Sequence, residues 1–164
     1  IIESGRPIPV LYTSSTQASA NNPYGLSKLA AENALVSLAS ISSSPIYIYR
    51  LQNVFGKWSR PNYNSVVATF CHNVINDIPI EIHDSSALVN LVYIDDVIKD
   101  FISLLNERPV GVLRPEISPL YTLSLLVFNL TKTSCPNLIF EILLLKIDSV
   151  FSSVCIDTVS LVLK

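Results

Sequence analysis

Two periodicities alternate along the chain. Val10-Leu11-Tyr12 runs apolar into Thr13-Ser14-Ser15, so Pro9–Ser14 reads as a buried strand ending in hydroxyl residues. Pro23 suits the first turn of a helix, and Tyr24 to about Ile41 carries Ala, Leu and Val at helical spacing. Ser42-Ser43-Ser44-Pro45 breaks that pattern. The β-rich run Ile46–Leu51 predicts a parallel strand. Asn64–Ile78 predicts a helix, with Val66, Val67, Phe70, Val74 and Ile78 on or near one stripe. Ile80–His83 and Leu88–Ile94 predict further strands. Asp95 is expected to cap a helix over Asp96–Asn106, with Val97, Phe101, Leu104 and Leu105 turned inward. Strand–helix–strand order predicts an α/β fold with a parallel sheet. From Leu125 to Lys164 the chain is aliphatic and Ser/Thr-rich, with no Gly, one Pro and no clear period. Buried helices fit that stretch, and so does a segment without a native fold.

Composition narrows the picture. A length of 164 residues suits one ordinary domain, and 49% apolar residues with a mean hydropathy of +0.45 argue for a core rather than disorder. The net charge of −2, without a basic block, makes nucleic acid and anionic membrane poor partners. Cys71, Cys135 and Cys155 are widely spaced and form no metal or redox motif, so reduced thiols and a cytoplasmic setting are expected, with no metal site. Ile1-Ile2-Glu3 is not a signal-peptide start, and the uncharged run from Ile117 is too short to span a bilayer. The chain has no Met and opens almost directly on a strand, so it is expected to be a piece of a longer protein. Its four glycines, Gly5, Gly25, Gly56 and Gly111, cannot form a Gly-x-Gly-x-x-Gly turn or a Walker loop.

The chemistry centres on Tyr24 and Lys28. Residues i and i+4 share a helix face, with Cβ atoms about 5–6 Å apart. A free tyrosine, with a pKa of ~10, is a poor base at neutral pH. A neighbouring ammonium favours the phenolate, and a general acid/base works best near the operating pH. Lys28 can also donate to a ribose hydroxyl, while Ser15 or Ser14 can hold a substrate oxygen beside the phenol. A bare Tyr-x-x-x-Lys is weak evidence, since most such pairs are surface pairs. The preceding Thr13-Ser14-Ser15 and the Asn22-Pro23-Tyr24-Gly25 setting turn the balance toward an active site.

Several blocks carry a family likeness. They are Ser14-Ser15-Thr16-Gln17-Ala18, Asn22-Pro23-Tyr24-Gly25-Leu26-Ser27-Lys28, Tyr49-Arg50-Leu51-Gln52-Asn53-Val54-Phe55-Gly56-Lys57-Trp58, the Pro61–Phe70 run, and Tyr93-Ile94-Asp95-Asp96-Val97. Through them the stretch Leu11–Leu105 resembles an extended short-chain dehydrogenase/reductase of the NAD-dependent epimerase/dehydratase family. The likeness is strongest to reductases of capsular-polysaccharide synthesis that act on UDP-linked 2-acetamido-2,6-dideoxyhexoses. It implies the C-terminal part of a Rossmann-type parallel sheet plus part of a small substrate-binding region. Residues 1–60 would complete the dinucleotide-binding domain, residues 61–124 would form the substrate region with a returning strand and helix, and residues 125–164 stay unassigned.

The resemblance implies roles residue by residue. Tyr24 would give a proton to the sugar carbonyl. Lys28 would assist it and bind the nicotinamide ribose. Ser15 would polarise the carbonyl, with Ser14 as the alternative. Leu51 would approach the nicotinamide, and Asn53 the substrate phosphate. Asn64 and Ser65 would open the helix that meets the UDP moiety, where a helix N-terminus suits phosphate. The cofactor would be NAD or NADP, the substrate a UDP-sugar, and the intact parent a homodimer.

Two features separate this chain from most relatives. Only eight residues lie between Ser15 and Tyr24, as in the capsular reductases. The run Val89-Asn90-Leu91-Val92-Tyr93 lacks the phosphate-binding Arg that most epimerases carry there. A keto nucleotide-sugar reductase is therefore expected, with an epimerase or 4,6-dehydratase as one alternative and a non-catalytic remnant as another.

The remaining constellations are weaker. Ser15, His83 and Asp95 lack the Gly-x-Ser-x-Gly elbow of a hydrolase. Asp95-Asp96 suits a helix cap better than a metal. Trp58 with Arg60 fits either a uracil stack or a loop anchor packed on the core. Lys57 fits either a phosphate contact or a solvated charge. Arg50, following a buried strand, is expected in a scaffold salt bridge.

Overall fold

A computed structural model describes residues 2–84, 86–107 and 109–125. Their elements are β1 (Val10–Ser15), α1 (Pro23–Ser42), β2 (Ile46–Leu51), β3 (Asn53–Phe55), α2 (Val66–Ile75), β4 (Leu88–Tyr93), α3 (Ile94–Ser103), β5 (Val112–Leu113) and β6 (Tyr121–Ser124), and the periodicity predicts β1, α1, β2, α2, β4 and α3. They belong to two compact units. One is built from residues 1–52 and 97–118, the other from 53–96 and 119 onward.

The first unit holds a three-stranded sheet in the order β1-β2-β5, with both pairings parallel. Val10 pairs with Ile46, and the register runs through to Ser15 opposite Leu51. Residues in register share a face of the sheet. Ile46 and Ile48 therefore lie on the face of Arg50, which reaches Glu32 of α1. Tyr47 and Tyr49 lie on the other face, where the Tyr49 ring meets Phe101 of α3 at 4.8 Å between centroids. Covered on both faces, Ile46–Tyr49 are all buried, as an uninterrupted apolar strand demands.

Helix α1 begins on an Asn22 cap, whose side-chain oxygen accepts from the Gly25 amide at 2.7 Å, with Pro23 in the first turn. It ends at Ser43, which takes left-handed backbone angles and so stops the helix where the serine run begins.

The second unit is a mixed sheet in the order β3-β4-β6. The β3–β4 pair is parallel and β6 runs antiparallel to β4. Its core is Phe55, Val67, Phe70, Ile80, Leu91 and Tyr93. Gly56 has φ +124, and a Cβ there would run into Ile94 and the Tyr93 ring, so only glycine fits between β3 and the start of α3.

Several expectations change. Ile80–His83 forms no strand: Ile80 is a core residue of a connecting loop, packed by its side chain. Helix α2 is shorter than Asn64–Ile78, because the Ser65 hydroxyl caps it and Asp77, at φ +55, lies past its end. Asp95 does not cap α3. That helix begins at Ile94, so Asp95 sits in its first turn, where a carboxylate suits the helix dipole. Leu105 is not inward but 71% exposed, lying in a 3₁₀ turn, Leu104–Asn106, beyond the regular helix. The short strands β3, β5 and β6 carry too few residues for a periodicity signal. The expectation for residues 125–164 lies outside the described residues, apart from Leu125, whose amide donates to the Ala87 carbonyl. No helix among the described residues is long and apolar enough to cross a membrane.

Candidate active site

The strand β1 delivers Ser14 and Ser15 to the carboxyl end of its sheet, the end where α/β folds bind ligands. Successive strand residues face opposite ways, and the two serines divide accordingly. Ser14 is buried, and its hydroxyl donates to the Glu32 carboxylate at 2.6 Å. Ser15 is half-buried. Its hydroxyl oxygen accepts from the Gln17 amide at 3.2 Å and opens a 3₁₀ turn over Thr16–Ser19. That turn leads into α1. Gly25 is required there, because a Cβ would collide with the carbonyl oxygens of Gln17 and Ala20.

Tyr24 and Lys28 lie one turn apart at the start of α1. Tyr24 is 50% exposed, so its ring is not part of the core. The Lys28 ammonium is held between two aromatic rings, 5.3 Å from the Tyr12 centroid and 5.7 Å from the Tyr24 centroid. It donates to the Thr13 carbonyl at 3.1 Å. A lysine ammonium has three donors, so this tether leaves capacity for a further oxygen. Leu51 stands in register with Ser15 at the end of β2. One sheet end thus collects Ser15, Leu51, Tyr24 and Lys28.

Beneath it lies a cluster that sequence reasoning did not find. Glu32 is fully buried, two turns beyond Tyr24 on the same stripe of α1. Its carboxylate accepts from Arg50 Nε at 2.9 Å, Arg50 Nη2 at 2.8 Å, Arg114 Nη1 at 2.8 Å and the Ser14 hydroxyl. The Arg50 fork, with help from Ser14 and Arg114, holds the carboxyl at about 2, below its ordinary 4.5, against the opposing effect of burial. Arg50 is thus the scaffold ion pair expected for it. The available signal was the i, i+4, i+8 spacing of Tyr24, Lys28 and Glu32, which puts an acid on the same stripe of the helix as the pair.

In the second unit the expected substrate residues are arranged less openly. Asn53 is exposed, and its side-chain amide donates to the Asn90 carbonyl at 3.0 Å. Asn64 is exposed just ahead of α2. Ser65 is buried, and its hydroxyl accepts from the Ala68 amide as the helix cap. Trp58 is 82% exposed with φ +66, so it is no core anchor. Lys57 is not a lone solvated charge, since its ammonium lies 3.5 Å from Asp95. Among the described residues no group of three or more His, Cys, Asp or Glu side chains is placed to hold a metal.

The profile of the NAD dependent epimerase/dehydratase family matches residues 3–114. The chain belongs to that family. Among family relatives, the UDP-2-acetamido-2,6-beta-L-arabino-hexul-4-ose reductase of Pseudomonas aeruginosa is 55% identical over 121 residues. That match covers 74% of this chain and 32% of the relative, so the chain spans about a third of its length. The capsular polysaccharide assembling protein CapF of Staphylococcus aureus superposes with a TM-score of 0.72 at 32% identity, over 92% of this chain and 41% of that one. A UDP-glucuronic acid 4-epimerase of Bacillus cereus in complex with NAD gives a TM-score of 0.62 at 22% identity, over 71% of this chain and 42% of the epimerase. That last likeness speaks for the fold. The two structural likenesses agree with a Rossmann-like α/β fold.

Proposed function

We propose that this chain is part of an NAD(P)-dependent reductase that converts a keto UDP-sugar to its alcohol during capsular or other surface-polysaccharide synthesis. The observation that carries this is the Lys28 ammonium, tethered to the Thr13 carbonyl and lying against the Tyr24 ring at the strand end that bears Ser15. The 55% identity to a UDP-sugar reductase supports the same reading.

The residues fit one end of a dinucleotide. Lys28 has donors to spare for a ribose diol, and Leu51 offers an apolar strand end beside Ser15. When bound, the nicotinamide supplies the hydride. In the reducing direction, Tyr24 donates its phenolic proton to the sugar carbonyl oxygen as charge gathers there. Ser15 donates a hydrogen bond to the same oxygen and orients it. Its hydroxyl proton is free for this, since in the turn the oxygen only accepts. Lys28 stabilises the negative charge left on the phenol oxygen. Ser14 is tied to Glu32 and serves the scaffold, so Ser15 is the polarising serine. In the second unit, Asn53 and Asn64 present exposed amides for the nucleotide phosphates. Ser65 acts through the helix it caps.

The test is a reductase assay on the protein that carries this chain in its full reading frame. The substrate is a UDP-2-acetamido-2,6-dideoxy-4-keto sugar, with NADH or NADPH. Stoichiometric loss of reduced nicotinamide with formation of the sugar alcohol is expected. Interconversion of sugar epimers without net nicotinamide consumption would identify an epimerase instead. No turnover of any keto nucleotide sugar would overturn the proposal.

A further inference from the structure

The Glu32 cluster does more than fill the interior. Three of its contacts surround the connector between Ser15 and α1. Ser14, the residue before Ser15, donates to Glu32. Arg50, in register with Ser14 across the sheet, forks onto Glu32. The same guanidinium extends its remaining nitrogen, Nη1, to the Ser19 hydroxyl at 3.0 Å, in the 3₁₀ turn that follows Ser15. Arg114 Nη1 holds Glu32 from beyond β5. Tyr24, Lys28 and Glu32 share one stripe of α1, and Lys28 grips Thr13 as Glu32 grips Ser14.

We propose that Glu32, acting with Arg50, is a positioning residue that clamps the Ser15–Asn22 connector so that the Ser15 hydroxyl keeps its place relative to Tyr24 and Lys28. The catalytic part of this claim rests on the reductase reading; the clamp itself does not. A buried carboxylate with four charge-assisted hydrogen bonds is a stiff fixture. Alignment of reacting groups is sensitive to displacements of about 1 Å. The clamp grips on both sides of Ser15, at Ser14 and at Ser19, and leaves Ser15 itself unengaged with the cluster.

Two readouts test it. The first is site-resolved hydrogen exchange on this chain, comparing wild type with Ser14→Ala, Ser19→Ala and Ser19→Thr. In both alanine variants the Gln17 and Ala20 amides should exchange about tenfold faster, while amides in the middle of α1 and β2 keep their rates. Ser19→Thr, which keeps a hydroxyl, should restore protection. An unchanged connector, or a uniform loss of protection across the unit, would overturn the clamp. The second readout is turnover in the full-length protein. Ser19 is exposed, so Ser19→Ala should fold normally. It should lower kcat about tenfold with KM unchanged, and Ser19→Thr should recover it. A loosened connector with normal kcat would refute the positioning role. An inactive wild type would sink the reductase reading, and the exchange data would still decide the clamp.

Discussion

At the scale of single residues, the proposed reductase gives the phenol of Tyr24 and the ammonium of Lys28 separable jobs. Tyr24→Phe removes the acid and keeps the ring beside Lys28. In the full-length enzyme, turnover should fall by ~10²–10⁴, the usual worth of a positioned acid or base. KM should move little, because the phenol matters mainly in the transition state. Steady-state kinetics settle this, and near-normal turnover would reduce Tyr24 and Lys28 to a helix-surface pair. Lys28→Met should lower both turnover and cofactor affinity, since it loses the charge beside the phenol and the donors for the ribose. Asn53→Ala should raise the KM for the nucleotide sugar. It also removes the bond to the Asn90 carbonyl, so a loss of about 1 kcal/mol in stability should accompany it in denaturant titration. The pair Tyr24 and Lys28 was legible in the sequence because helical spacing alone makes i and i+4 neighbours. The division of labour between Ser14 and Ser15 was not. Alternation says that they face opposite ways, but only the position of Glu32 says which face holds the cluster.

At the scale of elements, two joints decide whether α1 presents its first turn correctly. The helix start is pressed against the 3₁₀ turn at Gly25. Gly25→Ala should therefore destabilise the chain by about 1–3 kcal/mol, the usual cost of forced overpacking, in thermal or denaturant unfolding. The second joint is the Glu32 cluster, whose pH dependence has a definite sign. Its folded pKa of about 2 lies below the ordinary 4.5. The native state therefore binds that proton less readily than the unfolded chain, and stability rises with pH across this interval. The contribution, about 3 kcal/mol by linkage, is fully present above pH 4.5 and is lost as pH falls through about 2. The melting temperature of wild type should drop across that window, while Glu32→Gln should start lower and show a flatter acid limb. Equal slopes for the two proteins would show that Glu32 is not the group responsible. Element order and the long helices followed from apolar spacing. The strand expected at Ile80–His83 failed because alternating apolar residues also suit a loop that tucks single side chains into a core.

At the scale of the whole molecule, the residues proposed to meet a ribose and a nicotinamide, Lys28 and Leu51, stand in a chain with no glycine-rich phosphate turn within its 164 residues. On its own it should bind NADH or NADPH no more tightly than roughly millimolar, a binding free energy of ~4 kcal/mol. Isothermal calorimetry showing micromolar affinity would contradict this. Restoring the full reading frame should bring affinity into the range of a functioning oxidoreductase. The sequence by itself determined the α/β class, the β1–α1–β2 order, the break at the serine run and the Tyr24–Lys28 pair. All of these rest on local period and spacing, which a chain carries before it folds. Only the tertiary structure decided that Ser14 belongs to a buried Glu32–Arg50–Arg114 cluster, that β6 makes the second sheet mixed, and that Trp58 is exposed rather than packed. Glu32 and Arg114 stand 82 residues apart in sequence. No local pattern links them, and their meeting depends on strand register and on which face of β2 the helix covers.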